Sequence, residues 1–228
     1  MIEFFRRRSL SLSMVVLVMG VIMALQASLS ISIAFGRLGE AVQTDFLILI
    51  SSLWTILRGG LVAAVVVLWL MNRRRPLFRL IILLNGIYTF ALFINMVTLV
   101  DILFGVSSQG VESLIADVVL MAAANILIFS IWYWIIDPPG VNEGRRDDEP
   151  WDFLFPQRGG NLPRYENWQP RYTDYLFLAF TSSFAFSPTD TLPLTRRAKL
   201  LMMLQATISL ITITAIAGSA INILASGS

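Results

Sequence analysis

Hydroxyl and carboxylate oxygens gather in one apolar stretch near the end of the chain, FLAFTSSFAFSPTDTLPL, residues 177–194. Oxygens of this kind can replace the water around a cation, so they are candidates for coordinating a monovalent ion. The candidates are Thr181, Ser182, Ser183, Ser187, Thr189 and Asp190. These oxygens either face an ion or only end one helix and begin the next.

A second set of polar residues lies in the last long apolar run, residues 200–225, which is expected to be a helix with Thr195 as its N-cap. At 100° per residue, four of them fall within an arc of about 80° on one helix face. They are Gln205, Ser209, Thr212 and Ser219. Such a face either lines water or packs and hydrogen-bonds against a neighbouring helix.

Arg58 stands in the middle of another apolar run, LWTILRGGLVA. An arginine at the centre of a membrane helix costs about 2.5–3.5 kcal/mol on insertion scales, so it requires a partner or water. The polar residues expected near the same depth are Asp101, Asp117, Asn85, Asn95 and Asn125. This group predicts either an ion pair that clamps the second, third and fourth helices or a path for an ion, proton or substrate.

The inventory of reactive side chains excludes several functions. The chain of 228 residues has no cysteine and no histidine, which excludes disulfides, thiolate or imidazole metal sites and Cys or His nucleophiles. Asp101 and Asp117 lack the Tyr-Asp and Gly-x-Gly-Asp motifs of intramembrane aspartyl proteases, and the only lysine, Lys199, lies at a membrane edge. We therefore expect no enzymatic activity, no cofactor and no metal site.

Composition indicates that these residues lie in a lipid bilayer. Hydrophobic residues make up 56% of the chain and charged residues 14%, and the mean hydropathy is +0.72. Five apolar runs exceed the roughly 20 residues that span a bilayer core; they are residues 10–35, 46–71, 77–104, 113–136 and 200–225. A signal peptide is the alternative for the first run, but the run is longer than the usual apolar region of about 7–15 residues.

A sixth apolar segment, residues 172–186, is too short to cross. As a helix it rises only about 22 Å, against a hydrocarbon thickness of roughly 30 Å. Ser187 and Pro188 then end it, because proline disfavours a helical conformation in the residue before it. The predicted fold is an all-α membrane helix bundle with five transmembrane helices and one short re-entrant or interfacial helix.

The basic residues flank the apolar runs, as in most membrane proteins. Arginines cluster before the first run and between the second and third, which predicts that the N-terminus lies in the cytoplasm. A re-entrant segment would return the basic residues at 196–199 to the same side. The lipid bilayer is the expected partner, and no nucleic-acid partner is expected from this charge pattern.

The polar segment 137–171 separates the first four helices, residues 1–136, from the C-terminal part, residues 172–228. It is rich in Pro and Gly and carries the aromatic residues Trp151, Phe153, Phe155 and Trp168, among others. It is either an irregular loop whose aromatic side chains rest at the bilayer interface or a docking site for a partner.

Residues 113–225 contain a long helix, a polar loop, a short apolar helix beginning near DYLFLAFTSS, a turn ending in Asp190 and another long helix. This order resembles the outer helix, pore helix, filter and inner helix of tetrameric cation channels. The segment before Asp190 lacks the glycines of the potassium filter Thr-Val-Gly-Tyr-Gly-Asp, so a potassium-selective carbonyl ring is not implied. The chain also resembles bacterial multi-pass proteins of unassigned function that carry a similar AFSPTDTLPL stretch, which implies a location in the bacterial inner membrane.

The resemblance implies an ion channel or ion-linked transporter for a monovalent ion, assembled as a homo-oligomer around the 172–190 segment. The alternative is a membrane scaffold or partner subunit that transports nothing and docks through residues 143–168.

Overall fold

The computed structural model describes residues 10–29, 44–104, 111–137, 151–159, 168–185 and 190–226. Some side chains within these ranges, including those of Asp101 and Ser219, lie outside the described part. The described chain is helical apart from short connections and one two-stranded sheet. This confirms the all-α fold class.

The helices are α1 (Leu10–Ser28), α2 (Thr44–Leu70), α3 (Arg74–Phe104), α4 (Val111–Ile136), α5 (Pro156–Gly159), α6 (Tyr172–Ala185) and α7 (Arg196–Ser226). Two short strands, β1 (Phe153–Leu154) and β2 (Leu192–Pro193), pair antiparallel, with Phe153 opposite Pro193. Each predicted apolar run corresponds to one of these helices; α1 is described only as far as Ser28.

Within the described ranges, four helical segments are long and apolar enough to cross a membrane: Ser11–Ser28, Arg74–Val100, Ile115–Ile136 and Arg196–Ala215. The protein is therefore a multi-pass membrane protein. The remaining predicted span, residues 46–71, coincides with α2, whose apolar described stretch is the shorter segment Ile56–Leu70.

The chain divides into two compact units. The first, here the C-terminal unit, comprises residues up to Val15 and Ile126–Thr207; the second, the N-terminal unit, comprises Val16–Asn125 and Ile208 onwards. Helices α1, α4 and α7 contribute residues to both units.

In the N-terminal unit, α2 ends in a cap that requires a left-handed residue. Asn72 has a φ of 56°, its N donates to Trp69 O at 3.1 Å, and Arg73 N donates to Leu68 O at 3.0 Å. These two bonds form the Schellman motif, which asparagine tolerates better than most residues with a Cβ. The chain then turns into α3, which packs against α2.

Helix α3 begins at Arg74, earlier than the predicted 77. The difference arises at Pro76, which lies in the first turn of the helix, where the missing N–H of proline interrupts no intrahelical hydrogen bond. The connector between the second and third apolar runs, NRRRP at residues 72–76, is therefore partly helical.

One face of α3 forms the core of the N-terminal unit. Its buried apolar residues recur every three or four positions: Leu77, Ile81, Leu84, Tyr88, Leu92 and Leu99. On the same face, Asn95 donates from Nδ2 to Gln26 Oε1 in α1 at 3.3 Å. Other positions of α3 expose Leu83, Phe90 and Val97, as expected of a helix that borders lipid.

In the C-terminal unit, both helices that follow the polar loop begin with side-chain caps. Arg171 N donates to Asp174 Oδ2 at 2.6 Å at the start of α6, which is one half of a capping box. Ala198 N donates to Thr195 Oγ1 at 3.3 Å at the start of α7. The prediction that Thr195 is an N-cap is confirmed.

The described part of the polar loop is folded, unlike the irregular loop that was one expectation. Phe153 and Phe155 are buried; the Phe153 ring lies 5.1 Å from that of Tyr133, and the Phe155 ring lies 5.5 Å from that of Tyr175. Trp168 packs 5.6 Å from the Phe155 ring. Phe153 and Phe155 therefore fill the core of the C-terminal unit instead of resting at the bilayer interface, since the β1–β2 pairing folds this segment back onto the helices.

Two adjacent glycines test how closely α1 and α2 pack. A Cβ on Gly59 would lie 3.3 Å from Met23 Cε, whereas one on Gly60 would meet nothing within 4 Å. We expect Gly59→Leu to lower the free energy of unfolding by about 1–3 kcal/mol through overpacking, and Gly60→Leu to lower it much less. Thermal unfolding in detergent micelles measures both variants, and equal losses would contradict this packing.

Candidate functional site

Helix α6, which carries the predicted ion ligands, begins against the end of α4 and the start of α1. The Tyr172 hydroxyl lies 2.6 Å from Ser130 Oγ in α4, and Tyr172 N donates to Ser11 Oγ in α1 at 3.4 Å. One turn later, the Tyr175 hydroxyl donates to Asp137 O at 2.5 Å. The first turn of α6 is therefore fixed at the end of the C-terminal unit where α4 terminates.

Helix α7 begins at the same end. Arg197 Nη2 donates to Ile136 O, the last residue of α4, at 3.3 Å. Leu194 N donates to Asp152 O at 2.9 Å, which joins the approach to α7 to the folded loop. Because α6 and α7 both start at the end of α4, the two helices run in the same direction.

Two buried carboxylates hold this end together. Asp152 accepts hydrogen bonds from the Thr195 hydroxyl and from Arg197, at 2.6 Å from Nε and 2.5 Å from Nη2. Asp137 accepts from Arg158 Nη1 at 3.0 Å, and neither carboxylate side chain has exposed surface. Pairing and hydrogen bonding of this kind are what allow a carboxylate to remain buried.

The tyrosines at the start of α6 stay protonated at neutral pH. Burial, followed by the nearby charge of Asp137, raises the pKa of Tyr175 well above its ordinary value. Burial likewise raises the pKa of Tyr172. Each phenol therefore keeps the proton that it needs to act as a hydrogen-bond donor.

Arg158 links α5 to the exposed surface of the loop. It donates from Nη1 to Phe153 O at 2.9 Å as well as to Asp137, and its guanidinium lies 3.7 Å from the centre of the Trp151 ring. Trp151 is 44% exposed. The stacked arginine thus fixes an exposed indole on the surface of the C-terminal unit.

Deeper in the unit, Gln205 of α7 joins α6 to α4. Its Nε2 donates to Ala179 O at 2.8 Å and to Ser183 Oγ at 2.7 Å, both in α6. Its Oε1 accepts from the Tyr133 hydroxyl in α4. Gln205 has no exposed surface, so these bonds lie inside the protein.

Four of the six predicted oxygen ligands lie among the described residues. Thr181 Oγ1 bonds to carbonyl oxygens of its own helix, Phe177 O and Leu178 O, each at 3.0 Å, while Ser182 and Ser183 are buried. Asp190 is exposed, and Ser187 and Thr189 lie outside the described residues. Their common role in an ion pathway stays a prediction.

The predicted polar face of α7 is buried where it is described. Besides Gln205, Ser209 accepts from Asn125 Nδ2 at 2.8 Å, and Thr212 donates to Ile208 O of its own helix at 2.7 Å. The Ser219 side chain lies outside the described part. These bonds are those of helix packing, one of the two expectations, and water lining stays a prediction.

The polar group expected around Arg58 has partners of several kinds. Asn95 bonds to Gln26 and Asn125 to Ser209. Arg58 is half-buried. Asp117 is buried, and the Asp101 side chain lies outside the described part. The predicted ion pair between Arg58 and an aspartate stays a prediction.

Sequence reasoning missed the residues that organise the C-terminal unit: Tyr133, Asp137, Asp152, Arg158, Tyr172 and Tyr175. A signal existed in the tyrosines at 172 and 175, since residues three apart lie on one helix face and a buried tyrosine hydroxyl needs a partner.

Among the described residues no group of three or more acidic side chains is arranged to hold a metal ion.

Two neighbouring arginines provide a matched test of the buried carboxylate. Arg197 pairs with Asp152 although its own side chain is 61% exposed, and Arg196 is exposed beside it. We expect Arg197→Ala to lower the free energy of unfolding by about 1–3 kcal/mol, because a buried charge loses its hydrogen bonds. Arg196→Ala should change it by less than about 0.5 kcal/mol. Thermal unfolding measures the free energy of unfolding of both variants, and similar decreases in the two would contradict the pairing of Arg197 with Asp152.

No protein-family model, curated protein or solved structure matches this chain significantly. Function is therefore inferred from the geometry of the site and the chemistry of its residues.

Proposed function

We propose that the protein has five transmembrane helices and one re-entrant helix, and that it conducts or transports a monovalent cation through the segment 172–190. The observation that carries this proposal is that α6 and α7 both begin at the end of the C-terminal unit where α4 terminates. If α6 enters the bilayer from the side on which α7 begins, the chain between the two helices must return to that side, so α6 does not cross.

The start of α1 supports the count of spanning helices. Tyr172 joins Ser11, near the start of α1, to Ser130, near the end of α4. The chain thus returns to its starting end after four helices, which requires an even number of crossings. The 27 residues of α2 rise about 40 Å as a helix, enough to make α2 the remaining span, and α7 is the fifth.

The length of α6 supports re-entry. Its 14 residues rise about 21 Å, less than the roughly 30 Å of the hydrocarbon core. From Ala185 to Leu192 an extended chain covers about 23 Å, so it can return to the end where β2 pairs with β1. Because Pro188 disfavours a helical conformation in the residue before it, the sequence predicts non-helical backbone here, which at membrane depth is tolerated only inside protein or beside water and favours a hydrated passage near Ser187 and Thr189.

Charge supports the orientation and the cation. The basic residues around Arg197 fall on the same side as the N-terminal arginines under this topology, and the positive-inside rule assigns that side to the cytoplasm of the bacterial inner membrane. Asp190 is exposed and would raise the local cation concentration at the mouth of the passage. Side-chain oxygens, in a homo-oligomer, would supply the remaining ligands.

Ion flux into liposomes that hold the purified protein tests this function. We expect the wild type to conduct sodium or potassium but not chloride. In Asp190→Asn the cation flux should fall by roughly two- to tenfold, because the local enrichment of cations is lost. Asp148→Asn removes a carboxylate outside the segment and should leave flux unchanged. If folded wild-type protein shows no flux above that of empty liposomes, the proposed function is refuted. If Asp190→Asn and Asp148→Asn change the flux equally, Asp190 does not border the passage.

A second function, as a scaffold or partner subunit without transport, is favoured by the Trp151 surface. An exposed tryptophan stacked on a buried arginine is a preorganised anchor of the type enriched at protein interfaces. The partner would contact Trp151 and the rest of the 143–168 segment.

Trp151→Ala tests this second function better than removal of the segment, since residues 143–168 include the buried Asp152. If the segment docks a partner, we expect a protein that co-purifies with the wild type to be lost, with thermal stability lowered by no more than about 1 kcal/mol from the missing cation–π contact. Gly59→Leu, which lowers stability from the N-terminal unit, serves as the control for a destabilised protein whose Trp151 surface is unchanged. Retention of every co-purifying protein would count against docking.

A further inference from the structure

The side chain of Gln205 in α7 hydrogen-bonds to both α4 and α6. A side-chain amide offers two N–H donors and one carbonyl acceptor. Here Nε2 uses Ala179 O and Ser183 Oγ, and Oε1 uses the Tyr133 hydroxyl. The amide is thus satisfied by groups from two other helices.

The hydrogen bonds of Gln205 lie deeper in the unit than the other hydrogen bonds that hold α6. Tyr172 and Tyr175 hold its first turn, whereas Ala179 and Ser183 lie in its second half, and Ser183 is two residues from its last residue, Ala185. Gln205 lies nine residues after Arg196, about 13 Å along α7. The first turn and the inner half of α6 are therefore held by separate sets of hydrogen bonds.

The outer surface of α6 does not fix the inner half. Phe177, Phe180 and Phe184 are exposed there, and apolar contact with lipid carries no directional preference. The orientation of the inner half depends on the buried side, where the bonds of Gln205 are directional. A short helix held at only one end would be free to tilt.

We propose that Gln205 is a positioning residue that fixes the inner half of α6 against α4 and α7, and that it thereby sets which monovalent cation the passage prefers. The effect on the ion rests on the function proposed above; the effect on α6 does not. Gln205 acts through α6, so no contact with the ion is required of it.

The pattern of donors and acceptors makes the amide specific. A methionine at this position has nearly the same length and no strong hydrogen-bonding group. An ionised glutamate offers only acceptors, so it would face Ala179 O without a proton between them, whereas a protonated glutamate has one O–H donor. Tyr133 is the titratable group that faces Gln205 among its described partners, and it donates its proton to the side-chain oxygen.

Two measurements on full-length protein in liposomes test the proposal. Amide hydrogen exchange followed by mass spectrometry reports on the inner half of α6 separately from its first turn, and the sodium-to-potassium flux ratio reports on the passage. For Gln205→Met we expect exchange about tenfold faster in residues 179–185 than in the wild type, together with an altered flux ratio.

Gln205→Glu adds a readout that a simple loss of stability would not give. We expect it to approach the wild type near pH 5, where the protonated form donates to α6, and to resemble Gln205→Met only at about pH 10, where the carboxyl is ionised and cannot donate although burial raises its pKa. Gln205→Met should show no such recovery. Thr207→Ala is the matched control, since Thr207 is exposed on the same helix and bonds only within it, to Met203 O at 2.9 Å.

The outcomes separate the two proposals. Faster exchange in α6 without any wild-type flux would support the positioning role and refute the transport function. Wild-type flux with an unchanged exchange rate and flux ratio in folded Gln205→Met would overturn the positioning role alone. If Gln205→Met does not fold, Tyr133→Phe and Ser183→Ala each remove one bond, and the absence of any change in exchange or flux ratio in both would overturn it as well.

Discussion

The buried carboxylate of Asp152 is the interaction on which the C-terminal unit depends. Its oxygens receive Thr195 and Arg197 at the start of α7, while its backbone accepts from Leu194 and donates to Asp137 at 3.4 Å. A carboxylate without exposed surface is tolerated only when it is paired and hydrogen-bonded. That requirement ties the folded loop to the last helix, aligns β1 with β2, and places the start of α7 beside the end of α4. The common origin of α6 and α7, and with it the proposed re-entrant topology, follows from this arrangement.

The interior of the unit obeys the same rule with neutral groups. In a bilayer, buried polar atoms have little water to bond with, so each one requires a partner within the protein. Gln205 satisfies Ser183, Tyr133 and a carbonyl of α6 at once, and Ser130 shares a hydrogen bond with Tyr172. These oxygens and nitrogens stabilise helix contacts in the single chain. They hold α6 in place, whereas the carboxylate of Asp190 is exposed.

Much of the fold was predictable because its causes are local. Apolar runs long enough to span a bilayer predicted the long helices to within a few residues at most ends, and Thr195 was identified as a cap from its type and place before α7. The apolar run that predicted α3 begins at residue 77, three residues after the helix starts, because hydropathy does not register the charged residues of its first turn, where Pro76 is tolerated. The loop was misjudged for a different reason: Phe153 and Phe155 are as suitable for an interface as for a core, and only their neighbours decide between the two.

The sequence by itself determined the membrane location, the helical class and the shortness of α6, since hydropathy and helix breaking act over stretches of chain that lie side by side. The tertiary structure alone decided which polar groups meet. Gln205 and Ser183 are 22 residues apart, Asp152 and Arg197 are 45 apart, and Tyr172 and Ser11 are 161 apart. Hydrogen bonds act over about 3 Å, so partners this distant in sequence are brought together only by the packing of whole helices. The amide of Gln205 in an apolar helix implies that it needs hydrogen-bond partners, and only the structure identifies α4 and α6 as the helices that provide them.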